Sequence, residues 1–247
     1  MMKRLFSKAG VWLFLAAVVW YVAGNFTLDN INKNNRARAK SQHQAEHHFD
    51  IGEQASVVIR TQGNEVHTGG ITVIFDPNVS QASINNENLR LSVNGKTVDG
   101  ILNITLASVE THLYRSFNKF TIHLPSSVKK VAFSGVGTTE LSGTLLGAEL
   151  SLEIADCQST VNMTDLKVNH LKLISTCQMP PKKDWRTNGF VLGNDVQINR
   201  LDVSMQRGLL DFFAATIPQQ IQLNIGDEVA VSGQREFLKS ARFSNNF

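Results

Sequence analysis

From Val128 to Gly233 the apolar positions recur as one short unit. Its first line runs Val131-Ala132-Phe133, Leu152-Glu153-Ile154, Leu171-Lys172-Leu173, Leu201-Asp202-Val203 and Ile221-Gln222-Leu223, apolar, other, apolar each time. The last members step by about 21, 19, 30 and 20 residues, and self-similarity near that length marks a stacked repeat. A second line follows in the same order: Leu141, Val161 with Met163, Phe190 with Leu192, Leu210 with Phe212, Val229 with Val231. A third, Leu145, Leu166, Val196 and Ile217, reproduces the long step. Three lines predict three short strands per coil. So small a coil leaves its apolar residues open unless a neighbour stacks on it. The expected architecture over residues 126–233 is therefore a β-solenoid, a parallel β-helix of about five coils. Phe133, Ile154, Leu173, Val203 and Leu223 are expected in one inward column.

Upstream, residues 49–125 alternate apolar and polar: Val57 and Ile59, Ile71 and Val73, Leu89 to Val93, Leu102 to Leu106, Phe120 to Leu124. Short strands follow from that alternation, with turns at Asn94-Gly95 and Asp99-Gly100. The segment is expected to start antiparallel or mixed, its last strand leading through Pro125 into the first full coil. Downstream, 234–247 interleaves Arg235, Glu236, Lys239 and Arg242 with Phe237, Leu238 and Phe243. A last rung leaves a strand edge open, so this tail is expected to cap it. The fold class is all-β.

Two segments precede the strands. Residues 1–26 place Lys3, Arg4 and Lys8 before an apolar run from Val11 to Val22, extendable to Phe26. At about 17 residues it reaches the lower limit of a spanning helix. Trp20 and Tyr21 suit an interfacial belt, and Val22-Ala23-Gly24 offers small residues where a peptidase cuts. The expectation is a hydrophobic helix retained as a single-pass anchor in a bacterial inner membrane, with the β portion in the periplasm. The alternative is a signal peptide whose cleavage leaves the chain secreted or surface-exposed. Residues 27–48 read as a polar stalk. His43 and His47 would share a face were the stalk helical, with His48 beside them, yet no carboxylate or thiol set completes a chelate and no metal site is expected.

Composition adds bounds. A chain of 247 residues with 42% apolar content supports a substantial core, and the charge of +3 is spread along the chain. Without a basic stripe, nucleic acid is not an expected partner. No cofactor is expected either. Ser83 to Leu106, with Leu89-Arg90-Leu91-Ser92-Val93, resembles the segment that precedes the β-helix in the auto-transporter adhesin head-GIN domain family. Phe120-Thr121-Ile122-His123-Leu124-Pro125, followed by Val131-Ala132-Phe133-Ser134-Gly135-Val136-Gly137, is similar to that family's lead-in to its coils. The resemblance implies a β-helical envelope domain, adhesin-like and without enzymatic activity. The family repeats Ser-Gly-x-Gly at nearly every coil. Here Ala155-Asp156-Cys157-Gln158, Ser175-Thr176-Cys177-Gln178 and Met205-Gln206-Arg207-Gly208 stand at later coils instead.

Parallel β-helices also host polysaccharide lyases and hydrolases, which need paired carboxylates or a carboxylate-bound cation. The candidates Glu153, Asp156, Asp165, Asp195, Asp202 and Asp227 do not align in the repeat, and Glu153, Lys172 and Asp202 read as a cross-rung charge ladder. His67, His112, His123 and His170 have no defined partner. No catalytic residue is assigned, and a carbohydrate-active enzyme is kept as the alternative function. The long step contains Met179 to Arg186, where Lys182, Lys183, Trp185 and Arg186 offer cations and an aromatic ring suited to a sugar, an anionic glycan or a lipid head group. The plainer reading is a tolerated excursion. Cys157 and Cys177 stand about one coil apart, and rungs spaced by about 4.8 Å lie within the reach of a disulfide, so a bond is expected in an oxidising compartment. A one-residue bulge would instead leave two buried thiols. The function expected is a non-catalytic cell-envelope binding or scaffolding module with a glycan, lipid or protein partner.

Overall fold

The computed structural model describes residues 47–52, 55–62, 70–86, 91–108, 120–145, 149–177 and 188–244. The expected N-terminal helix over 1–26 lies outside them. Among the described residues no helix is long and apolar enough to cross a membrane. The fold is all-β. Its strands are β1 (His47–Phe49), β2 (Ser56–Gln62), β3 (Ile71–Asp76), β4 (Ala82–Asn86), β5 (Leu91–Val98), β6 (Ile101–Ser108), β7 (Phe120–Pro125), β8 (Lys130–Ser134), β9 (Thr138–Thr144), β10 (Glu149–Ile154), β11 (Thr160–Ser175), β12 (Gly189–Leu192), β13 (Gln197–Phe212), β14 (Gln220–Gly233) and β15 (Arg242–Ser244). All belong to one sheet, and a short helix, α1 (Arg235–Ser240), follows β14.

Two parallel ladders carry the architecture. Ladder I runs β6, β2, β8, β10, then the second half of β11 and the first halves of β13 and β14, ending on β15. Ladder II runs β7, β3, β9, the first half of β11, β12, and the second halves of β13 and β14. The chain passes through the ladders in turn, so each passage lies beside an earlier one. The expected third strand per coil is absent from this arrangement. Leu145, Leu166 and Val196 are buried but sit in the turns or the kink leading from ladder II back to ladder I, none of which pairs as a strand of its own.

The inward column also differs from expectation. Phe133 pairs with Ile154, but Ile154 pairs with Ser175 while Leu173 faces Leu152. The true column is therefore Val57, Val131, Leu152, Leu173, Val203 and Leu223, with Ile59, Phe133, Ile154, Ser175, Met205 and Ile225 beside it. The slip is two residues. Because strand side chains alternate with period two, it preserves the inward face, and all five of the expected residues remain buried. Phe75, Phe120, Phe190 and Phe212 fill the ladder II side of the same core. Burying each such side chain contributes about 1.5–3 kcal/mol.

The order of stacking departs from the order of the chain. β2 and β3 lie between the β6–β7 passage and the β8–β9 passage, so β7 does not lead into an adjacent rung. Crossing that rung, Lys129 donates its backbone N–H to the Ala55 carbonyl at 2.9 Å. The antiparallel strands are β1 on β4, β4 on β7 and β5 on β6, and they cover this end. The sheet path begins at β1 and ends at β5, and these ends meet: Thr97 Oγ1 donates to the Asp50 carbonyl at 2.9 Å. The sheet thus nearly closes on itself, barrel-like. At the other end Phe237 of α1 is fully buried and stacks on Phe212, with ring centroids 4.0 Å apart.

Candidate functional site

Two places on the outer surface combine geometry with chemistry, and they lie at opposite ends of the ladder I strands. At the corner where ladder I gives way to ladder II, each rung is tied to the next through a side chain. Thr61 Oγ1 donates to the Gly135 carbonyl at 2.9 Å, and the Gly135 N–H donates to Asp156 Oδ2. Asp156 also accepts from the Gln158 and Ser159 N–H groups, at 2.6 and 2.8 Å, and from Ser159 Oγ at 2.8 Å. Cys157 and Cys177 are joined by a disulfide across the next step, with Cα atoms 5.0 Å apart. The ladder advances 21 residues from Ile154 to Ser175 whereas the cysteines are 20 apart, so the bend after Ile154 absorbs the difference. Beyond it, buried Asn188 donates from Nδ2 to Ser175 Oγ at 2.6 Å, and Arg207 pairs with Glu228 at 2.6 Å.

Lys182, Lys183, Trp185 and Arg186 lie outside the described residues. The flanks of their segment are fixed at this corner: Cys177 is covalently tied and 3% exposed, and Asn188 is 4% exposed.

The second place is an outward column at the start of the ladder I strands, where Glu149, His170, Arg200 and Gln220 occupy successive rungs in register. Asn169, Asn199 and Gln219 precede the last three in sequence, and Asn199 Nδ2 donates to Asn169 Oδ1 at 2.7 Å. Together these residues line an open groove of about 340 Å³. Arg200 Nε and Nη2 donate to Asp202 Oδ2 at 3.1 and 2.8 Å, and His170 Nε2 lies 2.8 Å from the same oxygen. His170 Nδ1 lies 3.4 Å from Glu149 Oε2. Burial pushes the Asp202 carboxyl up. Hydrogen bonds from Arg200 and His170, with their charges, pull it down by more, to a net value below its ordinary one. An ionised Asp202 only accepts, so His170 presents Nε2–H to it.

This arrangement holds Asp202 ionised between two donors. A general acid near neutral pH needs a raised carboxyl, and Asp202 moves the other way. The remaining acidic candidates are scattered. Glu153 is not in the Lys172–Asp202 column, since it pairs with Ala132 and Ile174 and forms its ion pair with Lys130 at 2.6 Å. Asp156 is committed to the corner, while Asp165, Asp195 and Asp227 are exposed at turns or bends. His47 and His48 are extended in β1, with no helical face to share with His43, which is outside the described residues. Among the described residues no three His, Cys, Asp or Glu side chains are grouped to hold a metal.

Glu149 escaped sequence reasoning, and so did the partners of His170, for which the sequence defines none. Residues 149, 170, 200 and 220 align only with steps of 21, 30 and 20, and a 19-residue step at the second coil hides the match.

No family model matches the chain, and no curated protein matches it. It is similar to the crystal structure of a "putative cell adhesion protein" from Clostridium sporogenes, at 9% identity and a TM-score of 0.34, over 81% of this chain and 96% of that one. A likeness at that level carries no argument.

Proposed function

We propose that the chain is a non-catalytic binding or scaffolding module of a bacterial cell envelope, adhesin-like in role, whose two ladders are faces of a parallel β-solenoid. Residues 1–26 tether it to the inner membrane, and the β portion stands in the periplasm. Lys182, Lys183, Trp185 and Arg186 engage a glycan or a lipid head group, and the Cys157–Cys177 bond steadies the rung from which they depart.

One observation carries this reading. The two longest connections between the described strands, of eleven and thirteen residues after β6 and β11, both run from ladder I to ladder II at the cross-linked corner. Connections at the other corner hold eight residues at most, the eight being the segment with α1 that leads into β15. Repeat scaffolds build binding faces by placing insertions on one side of a regular stack, because there they disturb no rung. The resemblance to the head-GIN domain family supports the same role.

The test is a binding screen of the full-length chain against envelope glycans and vesicles of envelope lipids, with Trp185→Ala beside it. Saturable binding that weakens at least tenfold in the variant is expected. Depolymerisation of a polysaccharide by the chain would instead favour the carbohydrate-active enzyme.

A further inference from the structure

We infer that the groove lined by Glu149, His170, Arg200 and Gln220, with Asn169, Asn199 and Gln219 beside them, is a binding site for an uncharged, polyhydroxylated chain, a neutral linear glycan lying along the stack axis. The inference rests on the reading of the protein as a binding module, and it names a ligand class for a place at the opposite end of the ladder I strands from the disulfide corner. Each rung presents one or two hydrogen-bonding side chains on the same outward face, and successive rungs are about 4.8 Å apart. Four of the seven are amides. An amide both donates and accepts without charge, as a sugar hydroxyl does. The side chains of Gln219 and Gln220 have no hydrogen-bond partner among the described residues, so they meet a ligand without giving up an internal contact.

Other occupants fit the same residues less well. An anion would need a free cation, and Arg200 is held by Asp202 through both Nε and Nη2. Glu149, with a side chain 53% exposed, adds repulsion at the rim. A metal ion is disfavoured because both ring nitrogens of His170 face carboxylates already. A protein partner anchors on buried apolar side chains, and the lining offers none. A strand added from outside needs an open backbone edge, whereas β11 and β13 are paired on both sides at the groove and β14 is covered by β15 from Gln222 to Asn224. A groove with no aromatic floor binds weakly, at about millimolar strength.

The experiment is an NMR titration of the full-length chain, following the side-chain NH₂ signals of Asn169, Asn199, Gln219 and Gln220. The probes are neutral hexasaccharides (cellohexaose and mannohexaose) and an anionic one (hexagalacturonate). Saturable shifts with a neutral probe and none with hexagalacturonate are expected. The double variant Asn199→Ala, Gln220→Ala should weaken neutral binding at least tenfold, with an unchanged melting temperature because both side chains are exposed. Trp185→Ala should leave this titration unchanged. Equal or stronger response to hexagalacturonate, no response to either neutral probe, or full affinity in the double variant would each overturn the inference. A chain that binds envelope material through Trp185 yet ignores the neutral hexasaccharides would overturn it while leaving the proposed function standing.

Discussion

Thr139 shows how narrowly the core tolerates polarity. It occupies a ladder II column between Ile71 and Val161, it is 0% exposed, and its hydroxyl has no partner among the described residues. A buried unpaired hydroxyl costs about 1–3 kcal/mol, and valine has nearly the same shape. Thr139→Val should therefore raise the unfolding free energy by about 1 kcal/mol in urea denaturation; a loss would show that the hydroxyl is bonded. Asp202 gives the opposite lesson on the outer face. Its carboxyl is lowered in the folded chain, so on acidification the unfolded chain takes up this proton first. The stabilisation is complete above the ordinary carboxylate value of about 3.9 and is lost as the pH falls through the lower folded value. Asp202→Asn should flatten this part of the stability profile between about pH 5 and pH 2, read by denaturation midpoints. An unchanged slope would refute the role given to Arg200 and His170.

The strands β11, β13 and β14 are long because a corner is made inside each of them. β11 bends between Met163 and Leu166, with Asp165 at a φ of 45°, and so serves ladder II first and ladder I afterwards. Opposite that bend lies Gly143, at a φ of 110°, where a Cβ would collide with the Phe75 carbonyl of the neighbouring rung. Backbone strain and collision act together at this position. Gly143→Ala should cost about 2–3 kcal/mol and lower the melting temperature by about 4–12 °C in calorimetry, while alanine at exposed Gln197 should change little. A neutral Gly143→Ala would mean that β9 shifts freely against β3. The apolar alternation made these strands legible from sequence, whereas the bend shows there only as a break in parity, from Val161 and Met163 to Leu166 and Val168, which reads equally well as the start of a new strand.

Across the whole molecule, the corner after ladder I carries a hydrogen bond, a shared carboxylate, a disulfide, a buried amide and an ion pair in succession. The disulfide acts chiefly on the unfolded chain. Closing a loop of 20 residues restricts that ensemble by about 3 kcal/mol, so Cys157→Ser with Cys177→Ser should lose roughly this much in denaturation. Mass analysis of the protein should find two alkylatable thiols only after reduction. Thiols reactive without reductant would refute the bond.

By itself the sequence determined what depends on neighbours along the chain: the all-β class, the spacing of about 20 residues between like strands, the inward face, and the nearness of the two cysteines. Each follows from the two-residue alternation of side chains, which any strand must obey whatever it pairs with. Only the tertiary structure decided pairing itself. Ile154 could face Leu173 or Ser175 with the same parity, and burial alone does not separate the two; packing of Leu152 on Leu173 and of the corner at Asp156 does. The same holds for β2 and β3, whose place between β7 and β9 is set by which apolar faces meet, a choice that chain order does not constrain. The Glu149–His170–Arg200–Gln220 column is a product of that pairing, since a register shift of two residues at one rung would have dissolved it.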